Sequence, residues 1–128
     1  MRHTKHRSDE SIEDYLEAIL SLQQQIGNVR SIDIAHEMNF SKPSVSVAMK
    51  NLREKGYVEV DNNGYIILTD IGKKRAEDVL DRHTILTEFL IHIGVSKETA
   101  MEDACMIEHD LSEETFSAIK EFYQKITD

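Results

Sequence analysis

Along residues 8–25, apolar side chains recur at intervals of three and four: Ile12, Tyr15, Leu16, Ile19 and Leu20. That spacing follows the helical repeat and predicts an amphipathic helix. Gly27-Asn28 ends it, because glycine accepts the left-handed backbone that closes a helix. A shorter periodic segment over residues 32–38 follows, with Ser31 in the N-cap position and Ile34, Ala35 and Met38 facing inward. Asn39-Phe40-Ser41 reads as the turn after it. A third helix opens with Ser41 as cap and Pro43 in its first turn, where the missing N–H does no harm. It continues to Lys55, burying Val45, Met49 and Leu52, and Gly56 stops it. The pattern then changes to two β-prone runs, residues 57–60 and 65–68, around the tip Asp61-Asn62-Asn63-Gly64, which predicts a hairpin.

Helix, short helix, helix and hairpin, in that order, is the succession of a winged helix-turn-helix. Beyond it the periodicity is helical throughout. Thr69 caps a long helix to about residue 93, with Ala76, Val79, Leu80, Leu86, Phe89 and Leu90 on its apolar side. Ser96 caps another to about residue 110. Ser112 caps a last one, with Phe116, Ile119, Phe122 and Ile126 on one face. The expected fold is therefore mainly α: a winged helix-turn-helix domain over residues 1–68 and an all-α domain over residues 69–128.

Composition narrows the class. The chain has 128 residues, 40% of them hydrophobic and 30% charged, the balance of an ordinary globular protein. No apolar run approaches the roughly 20 residues that cross a bilayer, so no membrane partner is expected. The start, Met1-Arg2-His3-Thr4-Lys5-His6-Arg7, is basic but lacks the apolar stretch of a signal peptide. One cysteine forms no internal disulfide, which fits a reducing cytoplasm.

A net charge of −9 argues at first against a nucleic-acid partner. The charge is partitioned, however. Residues 1–68 carry 8 Lys and Arg against 10 Asp and Glu, whereas residues 69–128 carry 7 against 14. Within residues 41–55, Lys42, Lys50, Arg53 and Lys55 face Glu54 alone, and a local basic face is what phosphate contact requires. Residues near the start of the second helix of a helix-turn-helix meet base edges. Here these are Ser41, Lys42, Pro43, Ser44, Ser46 and Val47, with Lys50 a turn later. Short hydroxyls and small apolar groups let such a helix sit deep in the major groove. The same serines also make good helix caps, and lysines often form no more than a solvated face.

Three constellations could hold a metal. Asp14 and Glu17 lie at i and i+3 on the first helix. Cys105, Glu108 and His109 lie at i, i+3 and i+4, so thiolate, carboxylate and imidazole would leave one helical face together. His83 interrupts an otherwise apolar stretch. The mixture of soft, intermediate and hard donors suits first-row divalent ions. Each has a plainer reading: a solvated acid pair, a small hydrophobe and a core histidine.

Taken together, Ile12-Glu13-Asp14-Tyr15-Leu16-Glu17, Ser41-Lys42-Pro43-Ser44-Val45-Ser46, Arg82-His83 followed by Phe89-Leu90, and Cys105-Met106-Ile107-Glu108-His109-Asp110-Leu111-Ser112 resemble one family over essentially the whole chain. It is that of the diphtheria toxin repressor and the manganese transport regulator. The resemblance implies a homodimeric, metal-activated repressor of metal-transport genes that binds a double-stranded DNA operator. It carries metal ligation onto Asp14, Glu17, His83, Cys105, Glu108 and His109, and base contact onto the start of the third helix. Amphipathic helices in the second half fit the implied dimerisation. Asp14 resembles manganese-responsive members and Cys105 iron-responsive ones, so manganese is expected first and iron next, with one or two ions per subunit. Thr87 and Met101 replace an acid and a histidine of the additional iron-type site, and no SH3-like third domain is expected. The implied switch is a cation that neutralises the carboxylates and ties the first helix to the second domain. Two alternatives stand beside it. One is a winged-helix regulator sensing an organic ligand or partner protein without metal. The other is a metal-dependent hydrolase, disfavoured because six donors leave no open coordination position.

Overall fold

The computed structural model describes residues 7–127, with side chains from Ser11 onward; most of the basic start of the chain lies outside the described residues. The element order is α1 (Arg7–Ile26), α2 (Ser31–Met38), α3 (Lys42–Glu54), β1 (Val58–Val60), β2 (Ile66–Leu68), α4 (Asp70–His92), α5 (Lys97–Ile107) and α6 (Glu113–Thr127). The chain forms two compact units, Arg7–Glu77 and, from Asp78, the remainder, with the division inside α4.

In the first unit, the apolar stripe of α1 is buried: Ile12, Tyr15, Leu16, Ile19 and Leu20 are nearly inaccessible. α1 packs on α2 and α2 on α3. Ile34, Ala35, Val45, Met49 and Leu52 supply the facing core, as the periodicity predicts, while Met38 is only half-buried. Gly27 has φ 81° and Gly56 φ 83°, the left-handed backbone expected at the ends of α1 and α3. Asn39 closes α2 at φ 58°, a conformation its short polar side chain tolerates. One cap differs from expectation. Arg30, not Ser31, is the N-cap of α2; the Asp33 carboxylate accepts the Arg30 backbone N–H at 2.8 Å. The acid three residues into the helix, rather than a hydroxyl at its start, satisfies the terminus.

β1 and β2 pair antiparallel, with Val58 opposite Leu68 and Val60 opposite Ile66. Asp61 organises the tip: its Oδ1 accepts the backbone N–H of Asn63 and of Tyr65, each at 2.9 Å. The far edge of β2 is also held, because the Ile66 N–H donates to the Val29 carbonyl at 2.7 Å. The start of α4 is locked to the hairpin. Thr69 Oγ1 accepts from the Gly72 N–H at 3.1 Å and donates to the Gly56 carbonyl at 2.6 Å. Arg75 ties this corner to α1: its guanidinium donates to the Tyr57 hydroxyl at 2.6 Å and to the buried Glu13 carboxylate at 3.2 Å. Burial alone would lower the basicity of Arg75, but those two partners outweigh it and raise it.

The second unit is helical. Leu86 of α4, Ala104 of α5 and Phe116 of α6 form its core, with Ile85, Ile107, Leu111 and Ile119 packed around them. Ser96 and Ser112 cap α5 and α6 as expected, accepting from the backbone N–H of Thr99 and Thr115. α5 stops at Ile107, three residues before the expected end. Of the apolar face expected on α6, Phe116 is buried and Ile119 half-buried, whereas Phe122 and Ile126 are exposed. No helix among the described residues is long and apolar enough to cross a membrane.

Candidate metal centre and nucleic-acid interface

In the first unit, α3 turns its apolar face inward and leaves the expected DNA-reading residues outside. Ser41, Lys42, Pro43, Ser44, Ser46, Val47 and Lys50 are all exposed. Val47 is 70% exposed, so its methyl groups are open to a partner in the groove of a duplex. The Ser41 hydroxyl accepts the Ser44 N–H at 3.3 Å and donates to the Ser44 hydroxyl at 2.8 Å, so the start of the helix presents a fixed pair of hydroxyls. A shallow groove on the same helix is lined by Ser44, Val47, Ala48, Lys50, Asn51 and Glu54. Asn51 and Glu54 were not among the expected contacts, although their spacing from Val47, four and seven residues on, continues the exposed stripe. Beside the hairpin tip, the Arg30 guanidinium lies 4.7 Å from the centre of the Tyr65 ring, a cation–π contact.

Lysines on this face would bind phosphate rather than read bases. Lys50→Ala is expected to weaken duplex binding about equally for all sequences and to lower the dependence of log Kd on log salt by about one. Salt titrations of the two proteins on the same duplex measure it; an unchanged slope would remove Lys50 from the interface.

Of the six expected metal ligands, the second unit brings three together. His83 Nδ1 on α4 lies 3.5 Å from Glu108 Oε1, and His109 Nε2 lies 3.9 Å from that same oxygen. Glu108 is 1% exposed and His109 3%. Both carboxylate oxygens of Glu108 are buried without a hydrogen-bond partner among the described residues. An ionised carboxylate removed from water is costly unless a cation or several donors face it. Two imidazoles just beyond hydrogen-bonding distance do not meet that need, whereas a divalent cation would. A buried carboxylate with imidazoles beside it offers donors of the kind that first-row divalent ions take, so the chemistry of these residues fits a metal. Cys105 is placed differently. It lies in the last turn of α5 and is exposed, while Glu108 is the C-cap and His109 follows in the turn. In the first unit, Asp14 is exposed and Glu17 half-buried, one turn apart on α1.

Sequence reasoning did not single out Arg82 for a role at the site. Its guanidinium donates to the Glu108 carbonyl at 3.0 Å and the Leu111 carbonyl at 2.8 Å, holding the turn that bears Glu108 and His109. Arg82 was visible only as the neighbour of His83.

A winged helix with an exposed recognition helix and a helical unit with a buried carboxylate between histidines define a class: a DNA-binding regulator with a metal-binding domain. Comparison with known families gives the particular one. The model described as "Iron dependent repressor, N-terminal DNA binding domain" matches residues 9–65, and "Iron dependent repressor, metal binding and dimerisation domain" matches residues 69–128. The chain belongs to the iron-dependent repressor family. It is 39% identical over 116 residues to the transcriptional regulator MntR of Escherichia coli, covering 91% of this chain and 75% of that one. It is 35% identical over 121 residues to an uncharacterised HTH-type transcriptional regulator of Methanocaldococcus jannaschii, covering 93% and 97%. A solved structure titled a manganese-dependent transcriptional repressor complex with manganese superposes with a TM-score of 0.79 at 26% identity. That match covers 88% of this chain but 52% of the other, so the chain spans about half the length of this structural relative.

Proposed function

We propose that the protein is a manganese- or iron-responsive transcriptional repressor that binds an operator as a homodimer and controls metal-transport genes in the cytoplasm. Residues 1–68 are the DNA-reading part and residues 69–128 the metal-binding and dimerisation part. It is a binding protein and not an enzyme. The observation that carries the reading is the buried Glu108 carboxylate, unsatisfied between His83 and His109 in the region matched as metal-binding. His83, Glu108 and His109 are the proposed ligands in the second unit. Asp14, Glu17 and Cys105 complete the set by family resemblance.

When bound, a divalent cation supplies the positive charge that lets several carboxylates share one coordination sphere. The chain's own residues do the rest. Glu108 and His109 are buried, so their attraction for a cation would be little screened. Ser41, Ser44, Ser46 and Val47 present short side chains to base edges, while Lys42 and Lys50 contact phosphate. In a dimer, two recognition helices held roughly 34 Å apart would match successive major grooves.

Metal uptake tests this. Manganese should bind with one or two ions per subunit and operator retention should follow the uptake. Stoichiometric uptake absent for both manganese and iron, with DNA binding intact, would favour the metal-free regulator. Cys105 gives a sharper test. Cys105→Glu is expected to move relative affinity toward manganese, since hard carboxylate favours it over softer ions. Competition titrations of manganese against cobalt or zinc under anaerobic, reducing conditions measure the shift. Unchanged ratios would take the exposed thiolate out of the ligand set.

A further inference from the structure

From its contacts, we infer that Arg82 is a positioning residue for the metal centre, a clamp that fixes Glu108 and His109 without touching the ion. The inference rests on the ligand role proposed for those two residues. α5 ends at Ile107, and the last carbonyls of a helix have no partner within it. Two carbonyls in this stretch, those of Glu108 and Leu111, both accept from Arg82 Nη1, at 3.0 and 2.8 Å. The other arm, Nη2, reaches the Glu113 carboxylate at 3.3 Å, at the start of α6. The guanidinium lies 5.0 Å from the centre of the Phe116 ring and the side chain is only 13% exposed. One side chain therefore ties the whole turn between α5 and α6 to α4.

The next residue on α4 is His83. Successive residues of a helix point about 100° apart, so Arg82 can hold the turn's backbone while His83 faces its carboxylate. A single rigid helix thus sets the separation between one ligand and the two on the turn. Arginine suits the role because its planar fork offers several donors in fixed geometry; lysine has a single ammonium on a flexible stem. Residues that orient metal ligands typically change affinity by about 10–100-fold when removed.

The test measures manganese binding by calorimetry on the full-length protein, with folding followed by circular dichroism. Arg82→Met, which keeps apolar contact with Phe116, should lose about 10–100-fold in affinity. Arg82→Lys should fall between Arg82→Met and the wild type. Glu113→Gln removes only the arm to a carboxylate whose side chain is 84% exposed and should match the wild type. At saturating cobalt, Arg82→Met should also show an altered d–d absorption band, which a mere loss of stability would not produce. If Arg82→Met does not fold, the comparison of Arg82→Lys with Glu113→Gln decides. Wild-type affinity and an unchanged cobalt spectrum in the Arg82 variants would overturn the clamp while leaving the metal centre standing. No manganese uptake by the wild type would overturn both.

Discussion

Glu108→Gln is expected to give a folded protein that binds manganese at least about 100-fold more weakly, a loss of roughly 2.7 kcal/mol, and whose DNA binding ignores the metal. The expectation follows from burial without a partner. Among the described residues neither oxygen of Glu108 has a hydrogen-bond partner, and the facing imidazole nitrogens stand at 3.5 and 3.9 Å. In the metal-free protein the charge is therefore a burden, and a neutral isostere of the same shape relieves it. Metal-free Glu108→Gln should melt at or above the temperature of the metal-free wild type. With metal the order reverses. An ion at 100 times its Kd stabilises the folded wild type by about 2.7 kcal/mol, and the variant should gain almost nothing at that concentration. Thermal unfolding of both proteins with and without manganese reads both halves. A wild-type manganese shift in the variant would remove Glu108 from the coordination sphere; a variant much less stable without metal would make Glu108 a structural residue.

Gly72→Ala should destabilise the DNA-binding unit by about 2 kcal/mol or more, although alanine is the better helix former by about 1 kcal/mol. Gly72 lies in the first turn of α4, where a Cβ would stand 2.0 Å from the Tyr57 carbonyl oxygen and 2.8 Å from its carbon. The obstacle is backbone, fixed by the Thr69 N–H at 3.0 Å and by the hairpin that starts at Val58. Relief requires α4 to move off the hairpin, which would strain the Thr69 bonds to Gly56 and Gly72. The measurement is denaturant or thermal unfolding of the metal-free protein. Gly72→Ala as stable as the wild type would show that the close approach is easily relaxed.

Much of this fold was legible because local chemistry and tertiary demand agree. The stripe Ile12, Tyr15, Leu16, Ile19, Leu20 is buried as its spacing predicts, and Ser41, Ser96 and Ser112 cap the helices they precede. The misses are of two kinds, a local cap read one residue off and contacts that a distant partner decides. Ser31 has the right chemistry for a cap, but Asp33 reaches back to Arg30 and moves the helix start by one residue. No glycine or proline marks the end of α5. The carbonyls beyond that end are held by Arg82, 26 and 29 residues away, and no local pattern records this. Spacing put Cys105, Glu108 and His109 on one face; of the three the first is exposed and the other two are buried, a difference in burial that spacing does not record. The Glu13–Arg75 pair, 62 residues apart, was equally invisible. In a helical pattern Gly72 reads as a weak spot; only the carbonyl beneath it gives the reason.

The central claim is that metal binding and DNA binding are linked, and linkage is reciprocal. The most direct measurement takes a duplex enriched from a random pool in the presence of manganese. Its affinity for the protein is then titrated under anaerobic conditions with a chelator, with manganese and with ferrous iron. The account predicts that at least one of the two ions raises affinity tenfold or more, and that the duplex raises affinity for that ion by the same factor. Equal duplex affinity in chelator and in saturating manganese and iron would contradict it.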